Sequence, residues 1–162
     1  MKSFTDNLGR AWTLVVNVAT IKRVRALCGV DLNSIIEVED GKPTTKLLER
    51  LSTDPVLLVD VLYAVCKPEC DSKNVSDEDF GAAMAGDAIE NATSALLDEV
   101  IDFFPAAKRL AFRKILSASR RFEQAARTRM QTMLEDGKFE EKLVSELERL
   151  TGLSQNAQAS AE

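Results

Sequence analysis

The first 29 residues constrain this chain more than any other stretch, because they spell a β-hairpin that runs straight into a helix. Lys2–Thr5 and residues 12–16 are short runs rich in aromatic and β-branched side chains, separated by Asp6-Asn7-Leu8-Gly9. Asp and Asn tolerate turn geometry, and Gly accepts the positive φ that a hairpin with a bulge requires. Asn17 is placed to cap a helix over Val18–Cys28, with Gly29 as its left-handed stop. Val18, Ile21, Val24, Ala26, Leu27 and Cys28 give that helix a broad apolar face, and Lys22, Arg23 and Arg25 a wet one. A two-stranded hairpin is marginal alone, so Phe4, Trp12 and Leu14 are expected to pack onto this helix or its successors.

Beyond Gly29 the pattern is mostly helical. Aromatic residues make up only 6% of the 162 residues, so the core must be built from Leu, Val, Ile and Ala. Val30, Leu32, Ile35 and Ile36 ask for burial although Asp, Asn and Ser interrupt them. Ile36 and Val38 suit a third strand beside the hairpin, ended by Asp40-Gly41, with a loop or helical turn as the alternative. Thr44 or Thr45 opens a short helix carrying Leu47, Leu48 and Leu51. Asp54-Pro55 is an N-cap followed by proline at the first helical position, and residues 56–65 are apolar nearly all round. This helix is expected to be the most buried and to end at Lys67-Pro68. Ser76-Asp77-Glu78-Asp79 opens another short helix. Asp87 caps the next, which carries Ile89, Ala92, Leu96, Leu97, Val100, Ile101 and Phe104 up to the break at Pro105.

Ala106–Glu135 contains neither Gly nor Pro. A single helix of that length measures roughly 45 Å. Gly137 is expected to end it, residues 138–150 to form a last amphipathic helix with Phe139, Leu143, Leu147 and Leu150 on one side, and residues 152–162 to be a disordered tail. The predicted fold is therefore mainly α: a multi-helix domain with a small N-terminal β-hairpin and a long C-terminal helix. Residues 1–104 hold the hairpin and helical core, and 105–151 the long basic helix and the final amphipathic one.

Function is harder to read. There is no histidine, which removes Ser–His, Cys–His and His-metal arrangements together. Cys66 and Cys70 form a C-x3-C pair without enough further soft ligands for zinc, and Cys28 sits on an apolar helix face. Gly81 and Gly86 lack the Lys and the strand of a phosphate loop, and read as a joint between two short helices. Asp60 interrupts the apolar run of residues 56–66; its ordinary role is to bond a nearby hydroxyl or Arg. No acid–base set converges, so no catalytic residue, metal or cofactor is assigned. No apolar leader follows the amino terminus and no stretch is long enough to span a bilayer. Three cysteines fit a reducing compartment better than a disulfide framework, so the expected location is cytoplasmic, away from membranes.

Charge is unevenly placed. Between Pro105 and Leu134 lie Lys108, Arg109, Arg113, Lys114, Arg120, Arg121, Arg127 and Arg129 against Glu123 alone, a segment of +7 in a chain of −5. Arg113, Arg120 and Arg127 recur every seven residues along one face. The stripe is a solvated face, a complement to the chain's own acidic helices or to another copy, or a surface for nucleic acid, which the overall negative charge and the absence of interleaved aromatics argue against. Met130, Met133 and Leu134 either offer adaptable contacts to a partner or clasp the following helix in an αα-hairpin.

The run Phe4-Thr5-Asp6-Asn7-Leu8-Gly9-Arg10-Ala11-Trp12-Thr13-Leu14, with Asn17-Val18 and Ile21-Lys22-Arg23-Val24-Arg25, resembles the tail assembly chaperones of phage and prophage tail gene clusters. Leu48-Glu49-Arg50-Leu51, residues 54–63 and Phe80-Gly81 continue the likeness, which covers residues 2–114. The resemblance implies a mostly helical, non-enzymatic protein of the host cytoplasm that binds tape-measure and tail-tube proteins during tail assembly. The residues expected to meet partners are Arg113, Arg120, Arg127, Met130, Met133 and Leu134. Self-association through the long helix or the hairpin edge is also expected. The alternatives are a structural subunit of a phage-like particle and a small regulatory protein that binds nucleic acid through its basic helix.

Overall fold

The computed structural model describes residues 1–39, 42–135 and 138–151. Among these residues the protein is mainly α, with seven helices and two antiparallel strand pairs. It comprises two units, Met1–Arg113 and Lys114–Glu162.

Strands β1 (Lys2–Thr5) and β2 (Ala11–Leu14) pair in antiparallel register, with Phe4 opposite Trp12. The second strand thus starts and stops slightly earlier than its sequence pattern suggests. The loop is Asn7-Leu8-Gly9: the Gly9 amide donates to the Asp6 carbonyl at 2.9 Å and Gly9 has φ +76°. That is the three-residue turn with a left-handed bulge position. Asp6 also does more than tolerate a turn. One carboxylate oxygen accepts from the amides of Leu8 and Arg10 at 3.0 and 2.9 Å; the other accepts from Arg10 Nε at 2.6 Å and Trp12 Nε1 at 2.8 Å. A single buried acid therefore satisfies the indole donor that burying Trp12 would otherwise orphan.

Helix α1 (Val18–Cys28) has the expected caps: the Asn17 side chain accepts from the Thr20 amide and Gly29 ends it at φ +66°. Its buried face is narrower than the apolar pattern implied, holding Thr20, Ile21 and Val24, while Val18 and Leu27 stay exposed. Arg23 is drawn to the half-buried side. After a short 3-10 turn at Leu32–Ser34, strand β3 (Glu37–Glu39) pairs with β4 (Lys42–Thr44) and forms a sheet separate from the hairpin. The third strand is therefore present but its partner is different. One physical reason is that the outer edge of β2 is already occupied by the side chains of Glu69 and Lys73. Asp40 and Gly41 lie outside the described residues.

Helix α2 (Lys46–Thr53) buries Leu51; Thr45 precedes it without a side-chain cap, its hydroxyl bonding Glu49 instead. Helix α3 (Pro55–Lys73) begins as expected, with Asp54 accepting from the Leu57 amide at 3.0 Å. It does not stop at Lys67-Pro68. Proline removes the amide that would have bonded the Ala64 carbonyl four residues back. Arg23 of α1 replaces it, donating Nε to the Ala64 carbonyl at 2.5 Å and Nη2 to the Val65 carbonyl at 3.0 Å. The helix continues because another helix supplies the missing donor.

That continuation matters for the hairpin. The last turns of α3 carry Glu69, which accepts from the Thr13 amide at 2.9 Å, and Lys73, which donates to the Ala11 carbonyl at 2.8 Å and to Glu69 at 2.7 Å. Lys73 also lies over the Trp12 ring, 4.6 Å from its centroid. The outer edge of β2 is thus closed by side chains, which removes it as a route for edge-to-edge pairing.

Helix α4 (Asp77–Ala82) is capped by Ser76, which accepts from the Asp79 amide. It buries Phe80 completely, edge-on to Trp12 at 5.1 Å, Tyr63 at 5.6 Å and Phe4 at 6.4 Å between ring centroids. Helix α5 (Asp87–Phe103) is entered through Gly86 at φ +54°, so the cap position belongs to Gly86 and Asp87 is the first helical residue. Its buried side, including Ala92, Leu96 and Val100, lies along β1. Pro105 marks the break as expected, and helix α6 (Ala106–Glu135) follows as one 30-residue helix. Phe112, near its start, packs edge-on against Phe104 at 5.0 Å. Helix α7 (Lys138–Thr151) completes the described chain. Gly137 and the predicted tail, residues 152–162, lie outside the described residues.

Candidate interaction surfaces

Two surfaces stand out, one in each unit. In the second unit every described side chain from Arg120 to Glu135 is exposed. Phe122 is 78% accessible, Met130 64%, Leu134 55% and Met133 37%. On α7, Leu143, Val144 and Leu147 are exposed as well. Met130, Met133 and Leu134, expected either to meet a partner or to clasp the following helix, are all exposed. Large apolar side chains gathered along helices in this way mark interaction sites in folded proteins.

The basic residues divide. Arg113 is held by Asp102 of α5 in an ion pair within the first unit. Arg120 and Arg127 are exposed on α6. The three arginines share a sequence period and are all exposed.

The second surface lies in the first unit, where the start of α3 meets α4 and the start of α5. A groove of about 400 Å³ is lined by the apolar side chains of Pro55, Val56, Val59, Met84 and Ile89 and by the carboxylates of Asp60, Asp77 and Glu78. Val56 is 70% exposed although it lies in the first turn of a helix that buries eight of its residues. Gly81 keeps the wall low: a Cβ there would touch Val59 Cγ1 at 4.0 Å. Burial pushes the Asp60 carboxyl above its ordinary pKa, and the negative charges of Asp77 and Asp54 push it further the same way. The hydroxyl or arginine expected beside Asp60 is absent among the described residues, and what faces it is more acid.

Sequence reasoning missed this groove for a physical reason. Asp77 and Glu78 are sufficiently explained by the dipole of α4, and Asp60 by a local bond. Only the packing of three helix ends brings the acids to one wall. The one available signal was Asp60 itself, a charge inside an apolar run.

Elsewhere, the paired cysteines are enclosed. Cys66 and Cys70 are both buried; burial, reinforced by each other's proximity and by Glu69, lifts Cys66 to about 12, and burial with Glu69 and Asp71 lifts Cys70 to about 11. Thiols held so high are poor nucleophiles and poor metal ligands. No group of three or more Cys, Asp or Glu side chains among the described residues is arranged to hold a metal ion. No helix among them is long and apolar enough to cross a membrane. Comparison with family models, with curated proteins and with solved structures finds no match to this chain.

Proposed function

We propose that this protein is a non-enzymatic assembly factor that acts in the manner of a phage tail assembly chaperone, in the cytoplasm of the host, by binding the tape-measure protein and helping tail-tube subunits polymerise around it. The observation that carries this reading is the row of exposed apolar side chains, Phe122, Met130, Met133 and Leu134, on a helix that keeps them wet in the isolated chain. Methionine adapts its shape to different partners, which suits a surface that must hold a long helical polypeptide and later release it. The arginines interspersed with them add attraction to an acidic partner and discourage self-stacking of the apolar face. The resemblance of residues 2–114 to tail assembly chaperones supports the same assignment.

The test is co-expression with a tape-measure protein from the same gene cluster. The wild-type chain is expected to keep that polypeptide soluble, and the Phe122→Asp/Met130→Asp/Met133→Asp variant to let it precipitate. Mass spectrometry of finished particles is expected to lack this protein. Its presence there in stoichiometric amount would instead identify a structural subunit, and an insoluble tape-measure protein alongside the wild type would end the proposal.

A further inference from the structure

The acidic groove of the first unit has no counter-charge of its own. Among the described residues no lysine or arginine pairs with Asp60, Asp77 or Glu78, although the groove's apolar lining is open enough to leave Val56 largely in solvent. An occupant that brings both large apolar side chains and positive charge complements this lining. The same chain carries that combination on α6. At 100° per residue, Phe122, Arg129 and Met133 fall within about 40° of one another on that helix, while Arg121 and Glu123 lie about 100° to either side of Phe122, at the margins of that face. A helix laid into a hydrophobic groove through anchors spaced by helical turns is a common mode of recognition. The other route that the sequence offered for self-association, the hairpin edge, is closed on the β2 side by Glu69 and Lys73.

We infer that the groove formed by Val56, Val59, Met84, Asp60, Asp77 and Glu78 receives the distal half of α6 from a second copy of this chain. Phe122 and Met133 fill the apolar lining, and Arg121 and Arg129 meet the carboxylates. The contact is heterologous: groove and helix are different surfaces, so each copy uses one and offers the other. Successive copies then close into a ring or continue as a filament. The chaperone reading uses the same α6 face for a different partner, so the groove variants, which leave that face intact, separate the failure of one reading from the failure of the other.

The experiment exploits that asymmetry with full-length proteins in sedimentation equilibrium at low salt. The wild type is expected to associate in the micromolar range. Asp60→Lys/Glu78→Lys in the groove and Arg121→Glu/Arg129→Glu on the helix are each expected to weaken association at least about tenfold. Mixed together, the two variants are expected to form a heterodimer, because the intact helix of one meets the intact groove of the other. Its remaining groove and helix, both reversed, are again complementary in sign, so the mixture is expected to recover association beyond the dimer as well. Val56→Lys, at an exposed position, is a second groove variant, and circular dichroism with thermal melts establishes that each variant is folded. A wild type that is monomeric at high micromolar concentration overturns the inference. So does association that is indifferent to Asp60→Lys/Glu78→Lys and Val56→Lys, or a mixture that stays monomeric; these are the results expected of a symmetric α6–α6 pair or of none.

Discussion

The two units are built from the same material and differ in what covers it. In Met1–Arg113 the apolar side chains are closed over by other elements: Trp12, Leu62, Phe80 and Leu96 are fully buried. In Lys114–Glu162 helices of equally clear pattern leave Phe122, Met130 and Leu134 more than half exposed. Helix formation therefore says nothing about burial. A helix is satisfied by its own backbone, whereas a core needs a second surface, and only the first unit brings that surface within its own chain.

The contrast predicts a large asymmetry in mutational cost. Phe80→Ala, which removes the ring that Trp12, Tyr63 and Phe4 share, is expected to cost about 3–5 kcal/mol in a chemical unfolding titration. Phe122→Ala in dilute monomer is expected to stay within about 0.5 kcal/mol. Comparable losses at both positions would erase the distinction between the units.

Asp6 tests how far the first unit depends on a polar knot inside its core. Asp6→Ala leaves the Trp12 indole and two loop amides without acceptors and is expected to cost about 2–3 kcal/mol. Burial alone would raise the Asp6 pKa, but the bonds from Trp12 and Arg10 outweigh it and hold the carboxyl below its ordinary value. Glu69 is held low in the same sense: burial opposes, and the Lys73 and Thr13 bonds prevail. The unfolded chain then binds more protons than the folded one as pH drops below the ordinary carboxylate range. The stabilisation is complete above about pH 5 and is lost as pH falls through the folded values. Melting temperature should decline steeply below about pH 4 in the wild type and less steeply in Asp6→Ala.

A smaller effect probes the joint between α1 and α3. Arg23→Met orphans the Ala64 carbonyl that Pro68 cannot serve, and is expected to cost about 1–2 kcal/mol. In a Pro68→Ala background the restored amide takes over, so the same substitution should cost measurably less. Additive costs in this double-mutant cycle would show that Arg23 does not act as the stand-in donor. The smallest effect is kinetic. At pH 8 the Cys66 and Cys70 thiols, both buried, should react with a disulfide reagent only as fast as the first unit opens. Fast labelling in the native state would mean that this region is looser than its burial implies.

Much of the fold was legible because it is decided locally. The Asp6–Gly9 turn, the Asn17, Asp54 and Ser76 caps, and the breaks at Gly29 and Pro105 each depend on residues within a few positions of one another. Pro68 misleads because its remedy is 45 residues away, in Arg23. The strand at Glu37–Glu39 has a different neighbour from the one its pattern suggests, because the closure of β2 by Glu69 and Lys73 cannot be seen from the strand itself. The candidate partner residues on α6 are recognisable as a pattern, yet the pattern cannot say that Arg113 is tied to Asp102.

What the amino-acid order determined unaided is where helices and turns begin and end, since capping, proline geometry and the positive φ of glycine act over a few bonds. What required the tertiary structure is which surfaces are spent and which are left over. The acidic groove exists only because three helix ends converge, and the wet face of α6 only because nothing in its own unit covers it. Burial is a relation between distant segments, and no single stretch of sequence contains it.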